Sequence, residues 1–258
     1  MAVVTIGSAK GSPVVSLAAW GLGHCWPRPI VGVELDGAGG TWAYRHGLTC
    51  EPGLPSLAAT TEPLDMHVAS AHGQEVLESR WFVCAPKEGA IVRAAQGWLD
   101  ERLLAWPEND DLLIDVGRFR AGEVQHSAPV RRCDALLLMT GTRAEELATT
   151  ASVIGDVVKA MRPGATLYLL YVASGPYSAS EATDSLNELV KRRLFRIAGT
   201  IPYDPKAAAT LCNGGRNAGK IATRWFGSIA SELAASTAHR TLGATVHAAS
   251  AAEMNGVA

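Results

Sequence analysis

Apolar runs rich in Val, Ile and Leu recur along the chain at 3–9, 29–36, 80–85, 111–117, 134–140, 166–172 and 194–201. Within each run the apolar residues do not alternate with polar ones, which is the pattern of a strand buried on both faces. Between the runs, apolar residues recur at helical spacing. In 88–104 these are Ile91, Ala94, Ala95, Trp98 and Leu99, and in 218–236 they are Ile221, Trp225, Ile229 and Leu233. Segments 143–161 and 178–192 are read as helices too. The stretch 47–78 is rich in Pro, Gly and Thr and is read as a loop with short helices. Strands alternating with helices predict an α/β fold, a mostly parallel central sheet with helices on both faces. The expected domain spans 1–236. An Ala- and Ser-rich tail follows at 237–258, and its end is expected to fray.

In such sheets ligands sit at the carboxyl ends of the strands. The loops after residues 9, 36, 115, 140, 174 and 201 are therefore where chemistry is expected.

Composition narrows the classes. The chain has 258 residues, 48% of them apolar and 19% charged, with a formal charge of −2. This is ordinary globular composition, and its charge balance does not support DNA binding through bulk electrostatics. The five cysteines are scattered, with no C-x-x-C pair, so neither a disulfide framework nor a zinc site is expected. The first residues lack the basic and apolar regions of a signal peptide, and no run of about 18 apolar residues exists to span a membrane. A cytoplasmic protein is expected. The seven histidines show no H-E-x-x-H spacing. There is no G-x-S-x-G elbow, and no G-x-G-x-x-G follows the first strand. Trp20, Trp98 and Trp225 fall on apolar helix faces and are expected in the core. The helix at 218–236 carries Lys220 and Arg224 but is too weakly basic for a membrane surface, so it is expected to pack on the sheet.

The candidate chemistry begins after the first run, where the chain reads Ala9-Lys10-Gly11-Ser12-Pro13-Val14-Val15-Ser16 before an apolar helix. A helix start there offers free N–H groups and a favourable dipole to an anion. Asp36 ends the second run, where the plain reading is a helix N-cap or an Asx turn. Asp115 ends the run Asp111–Gly117. A carboxylate at the end of a buried strand is costly unless solvated, paired or near a cation. Further on come Asp134–Thr140 with Thr142-Arg143, and then Gly199-Thr-Ile-Pro202-Tyr203-Asp204-Pro205. The bland reading of that last segment is a Pro-rich turn capped by Asp204.

Taken in order from residue 3 to 236, these segments resemble the ParA/MinD family of P-loop ATPases. The family's phosphate loop reads G-K-G-G-x-G-K-T/S. Aligned on it, Lys10 matches the signature lysine, Gly11 a loop glycine, and Ser16 the magnesium-binding hydroxyl. Ala9, Ser12 and Val14 replace glycines, and Val15 replaces the phosphate-binding lysine. Asp36 matches the aspartate near the attacking water, Asp115 that of the Walker B strand, and Pro202 to Asp204 the loop beside the base.

The resemblance implies ATP and Mg²⁺ as cofactors. It places Lys10, Asp36 and Asp115 in catalysis, Gly11, Ser12, Ser16, Pro202 and Asp204 at the nucleotide, and Ser16 and Asp115 at the metal. It also implies a homodimer in which Lys10 reaches the partner's nucleotide. The lost glycines and lysine weaken phosphate binding, since a P-loop works through backbone N–H groups freed by glycine and a neutralising lysine. Arg118 and Arg120 are two candidate replacements for that charge. The implied role is partitioning or spatial positioning through dimerisation and partner binding, with weak or absent hydrolysis. The alternative is a working ATP-dependent dimerising switch.

Overall fold

The computed structural model describes residues 2–10, 14–107, 109–119, 122 and 124–254, with 238–254 described as helix backbone. Strands β1 (Val3–Ser8), β2 (Ile30–Glu34), β3 (Gln74–Leu77), β4 (Arg80–Val83), β5 (Leu112–Arg118), β6 (Ala135–Gly141), β7 (Thr166–Ala173) and β8 (Arg196–Pro202) form one sheet. Its order is β3-β4-β2-β5-β1-β6-β7-β8. Every pairing is parallel except β3 with β4. The helices are α1 (Val15–Cys25), α2 (Trp42–His46), α3 (Leu54–Ala59), α4 (Met66–Ala71), α5 (Gly89–Leu104), α6 (Ala128–Arg132), α7 (Ala144–Ala160), α8 (Ala179–Val190), α9 (Pro205–Cys212) and α10 (Ala218–Met254). The fold is α/β, as the apolar runs predict. The strand that their pattern misses is β3, a four-residue edge strand whose sequence, Gln-Glu-Val-Leu, carries too little apolar content to stand out.

Alternate side chains of the central strands feed two cores. Val4 and Ile6 of β1, Leu113 of β5, and Leu137 and Met139 of β6 face one layer, made by α1, α2, α9 and α10. Val3, Leu112, Ile114, Leu136 and Leu138 face the other, made by α3 to α8. Each such leucine or isoleucine contributes about 1.5–3 kcal/mol by leaving water. Helix α1 is buried from Val15 to Gly23 because the sheet covers one side and α10 the other. Gly21 permits that contact, since a Cβ there would run into the Phe226 ring. Trp20 and Trp225 are buried as expected, and Ala222, Phe226, Ile229 and Leu233 of α10 pack inward.

Trp98 corrects the sequence reading. It is 74% exposed, and Ile91 is 45% exposed. The buried stripe of α5 is Val92, Ala95, Leu99 and Leu103. Ala95 and Leu99 belong to both candidate stripes, and a rotation of one residue, about 100°, separates them. Docking on the sheet selected the stripe with the longer aliphatic register.

Asp111 and Asp134 precede β5 and β6 at the amino end of the sheet. Asp111 accepts hydrogen bonds from Ala2 N (2.6 Å), Trp26 Nε1 (2.8 Å) and Arg28 Nε (2.7 Å). Asp134 accepts from Val3 N at 2.8 Å and pairs with Arg162. Both anchor the first strand, far from the loops considered next. All five cysteines are free. Cys84 and Cys133 are buried and the others half-buried.

Candidate functional site

From β1 the chain builds one side of the sheet, β2, β4 and β3, returns as β5 between β2 and β1, and then crosses to β6 on the far side of β1, so β5, β1 and β6 flank the point where the strand order reverses. The loops at their carboxyl ends converge there. Gly11 and Ser12 lie outside the described residues, as do Pro13 and Arg120. Val14 has φ −89° and ψ −12°, an ordinary right-handed conformation, so its β-branch causes no strain. Val15 opens α1 with its side chain 2% exposed, inside the core with Leu17 and Trp20. The position matching the family's phosphate-binding lysine therefore points into apolar packing. Ser16, one residue on, is 7% exposed in the first turn of α1.

Asp115 lies beside that turn. It is paired in register with Ile6 of β1 and Glu34 of β2, and it is fully buried. Its Oδ1 accepts the Gly117 N–H at 2.9 Å, and the Ser16 side chain hydrogen-bonds to the carboxyl group. Among the described residues Oδ2 has no hydrogen-bond partner. Burial pushes this carboxyl up to about 7, against the Ser16 and Gly117 bonds that pull it down. A buried carboxylate oxygen without a partner is costly, and a cation or a metal-bound water would satisfy it. Ser16 and Asp115 thus fit a Mg²⁺ ion held through water. Among the described residues no cluster of three or more His, Cys, Asp or Glu side chains could hold a metal. Such an ion would complete its shell with water and ligand oxygens.

Asp36 occupies the opposite lip. Its Oδ1 accepts the Ala38 N–H at 2.8 Å, closing an Asx turn, and its charge raises Asp115 further. Gly117 makes that approach possible. It has φ +63°, and a Cβ there would collide with the Asp36 carboxyl group. The Asx-turn reading of Asp36 is the one this geometry displays.

Glu34 is a residue the sequence reading passed over. It is fully buried and accepts from Thr41 N (2.6 Å), Trp42 N (3.1 Å) and Ala85 N (3.1 Å). Burial, then the charge of Asp115, push it to about 7. Glu34 thereby holds the start of α2, and Trp42 in turn donates its indole N–H to the Ser16 carbonyl at 3.0 Å. The His46 ring stacks on Trp20 with centroids 3.6 Å apart, and burial lowers His46 to about 4. Helix α2 is thus fastened to α1 at both ends. The available signal was an acidic residue inside the apolar run 29–36.

On the β6 side a cavity of about 290 Å³ is lined by Ser8, Lys10, Thr140, Arg143, Ser174 and Tyr203, among others. Lys10 is half-exposed, with its Nζ 4.0 Å from Glu145 Oε1. Asp204 caps α9 by accepting the Ala207 N–H at 2.9 Å, and Pro202 ends β8. Between them Tyr203, 64% exposed, is the member of that loop that lines the cavity. Arg118 lies elsewhere. Its Nε donates to the Ala9 carbonyl at 3.3 Å, and it borders a second cavity, of about 570 Å³, with Asp36 and Arg93.

No protein-family model and no curated protein matches the chain. Solved structures do. A ParA family ATPase from Chlorobium tepidum superposes with a TM-score of 0.65 at 16% identity, over 91% of this chain and 98% of that one. The apo form of McdA from Cyanothece gives 0.64 at 14%, over 89% and 96%. The cell division ATPase MinD of Pyrococcus furiosus gives 0.60 at 15%, over 89% and 98%. Sequence identity this low speaks to architecture alone, and the architecture of this chain is the ParA/MinD-type P-loop ATPase fold.

Proposed function

We propose that this protein is a ParA/MinD-like positioning factor with a reduced nucleotide site. It acts through dimerisation and partner binding, with weak or absent ATP hydrolysis. One observation supports the reading: Ser16 bonds to the buried Asp115 carboxyl, whose Oδ2 has no partner among the described residues, while Val15 beside them is buried as core. On this reading the metal half of the site is kept and the phosphate-neutralising half is altered. Loss of that charge weakens binding and, more strongly, stabilisation of the transferring phosphoryl group. The neighbouring folds include a ParA family ATPase, a cell division ATPase and a plasmid partition protein, and a variant of Cyanothece McdA was solved with ATP. The formal charge of −2 favours a protein partner over DNA. Among the described residues no helix is long and apolar enough to cross a membrane.

The test is calorimetry of the protein with Mg²⁺-ATP, followed by a phosphate-release assay. Binding near or below about 100 μM, roughly −5.5 kcal/mol, with turnover far slower than an intact P-loop ATPase, supports the reading. No heat at millimolar ATP, together with no thermal stabilisation, overturns its nucleotide part and leaves a scaffold.

The second reading, an ATP-dependent dimerising switch, is favoured by Lys10. Its side chain is 50% exposed, and among the described residues its ion-pair contact is a long one, 4.0 Å to Glu145, which suits a side chain that reaches for a partner's nucleotide. Sedimentation with and without Mg²⁺-ATP, for the parent and Lys10→Ala, separates the two. A switch dimerises only with ATP and only with Lys10, whereas a constitutive dimer is indifferent to both.

A further inference from the structure

We propose that Arg45 of α2 supplies the positive charge to a bound phosphate group that position 15 no longer provides. The assignment rests on the nucleotide-site reading above. Its first support is a bare buried donor: Arg45 Nη1 is sealed from solvent and has no hydrogen-bond partner among the described residues. Guanidinium nitrogens enclosed in a protein are normally paired, because desolvation without a bond is costly.

Placement is the second support. Trp42 Nε1 is bonded to the Ser16 carbonyl, and Arg45 follows Trp42 by three residues, so the two share a side of α2. The Glu34 bonds and the His46–Trp20 stack hold α2 in that position. Electrostatics agree. Arg45 is the described cation whose charge bears on Asp115. Arg118 is engaged instead with the Ala9 carbonyl, and Lys10 lies beside Glu145.

The third support is a pair of orphans. Asp115 Oδ2 and Arg45 Nη1 are both buried and both without a partner. A simple counterion for Asp115 would bond to it, and these two atoms do not bond. A magnesium phosphate group would give each a partner, Asp115 on the metal side and the Arg45 guanidinium on the phosphate side. A guanidinium suits that task because it is always charged and presents a fixed fork of donors.

Calorimetry of the full chain with Mg²⁺-ATP, and separately with Mg²⁺ and inorganic phosphate, tests the assignment. Arg45→Gln should weaken Mg²⁺-ATP binding about tenfold or more, Arg45→Lys should recover part of the loss, and Arg118→Gln should leave affinity nearly unchanged. Arg45→Met, which keeps the packing of the stem, is the companion variant with the same expectation if the Gln variant does not fold. Affinity for Mg²⁺-ATP unaltered in the Gln or Met variant overturns the assignment and leaves the nucleotide reading standing. Binding of inorganic phosphate but not of ATP, lost with Arg45, supports the charge assignment and overturns the nucleotide reading. No binding of either ligand by the parent protein overturns both.

Discussion

Glu34 and Asp115 stand opposite one another on β2 and β5, two fully buried carboxyl groups paired in strand register. Each is pushed up to about 7, mainly by burial. Neither group has a full counter-charge bonded to it, so the native state resists ionising both.

Stability should therefore depend on pH in a definite direction. A carboxyl whose folded value is raised contributes stability that is fully present below its unfolded value and is lost as pH rises through the folded one. For Asp115 that window runs from 3.8 to about 7. His46, lowered from 6.5 to about 4, has the opposite sign and loses its contribution as pH falls through the same range. The difference between Asp115→Asn and the parent isolates the carboxyl. Without nucleotide or Mg²⁺, the variant should be more stable at pH 8 by on the order of 2–4 kcal/mol. The gap should close toward pH 4. Urea titrations at both pH values measure it, and a gap independent of pH would contradict the assignment.

Removing the indole donor between α2 and α1 should cost about 1 kcal/mol or somewhat more. Trp42→Phe keeps a ring beside Trp20 and Phe82 but leaves the Ser16 carbonyl without its partner. Chemical denaturation of the two proteins checks the value. An unchanged midpoint would mean that water replaces the indole without loss.

Gly117→Ala should destabilise by about 1–3 kcal/mol, from positive φ and the collision with Asp36 together. Adding Asp36→Ala removes the collision but not the backbone strain. The double variant should then recover part of the loss. A double-mutant cycle by thermal unfolding reads the coupling, and strictly additive losses would show that the carboxyl yields freely.

Trp98→Ala should change stability by no more than about 0.5 kcal/mol, because its ring stands in solvent. Trp225→Ala, from a ring 5% exposed against α1 and the sheet, should cost about 3–5 kcal/mol. Urea midpoints for the pair decide between the observed face of α5 and the face its periodicity suggested.

Much was legible along the chain because it is set by near neighbours. The run 111–117 reads as a buried strand because its apolar residues are contiguous, and β5 occupies Leu112–Arg118. Asp36 was found as a carboxylate just past a strand, Asp115 as one inside the run although β5 continues beyond it to Arg118, and Asp204 as a cap by its place before Pro205. Each of these depends on spacing over a few residues, which the sequence states directly. What surrounds the site is decided otherwise. Glu34 meets Asp115 only because β5 inserts between β1 and β2, and Arg45 comes to that centre only because Trp42 ties α2 to Ser16. Whether Val15 faces a ligand or the core depends on the side of α1 that docks. The sequence by itself determined the strands other than β3, the longer helices and the kinds of side chain near the carboxyl ends of the strands. Only the tertiary structure decided which of them share a site, because long-range contacts follow strand order and helix docking, and local periodicity encodes neither.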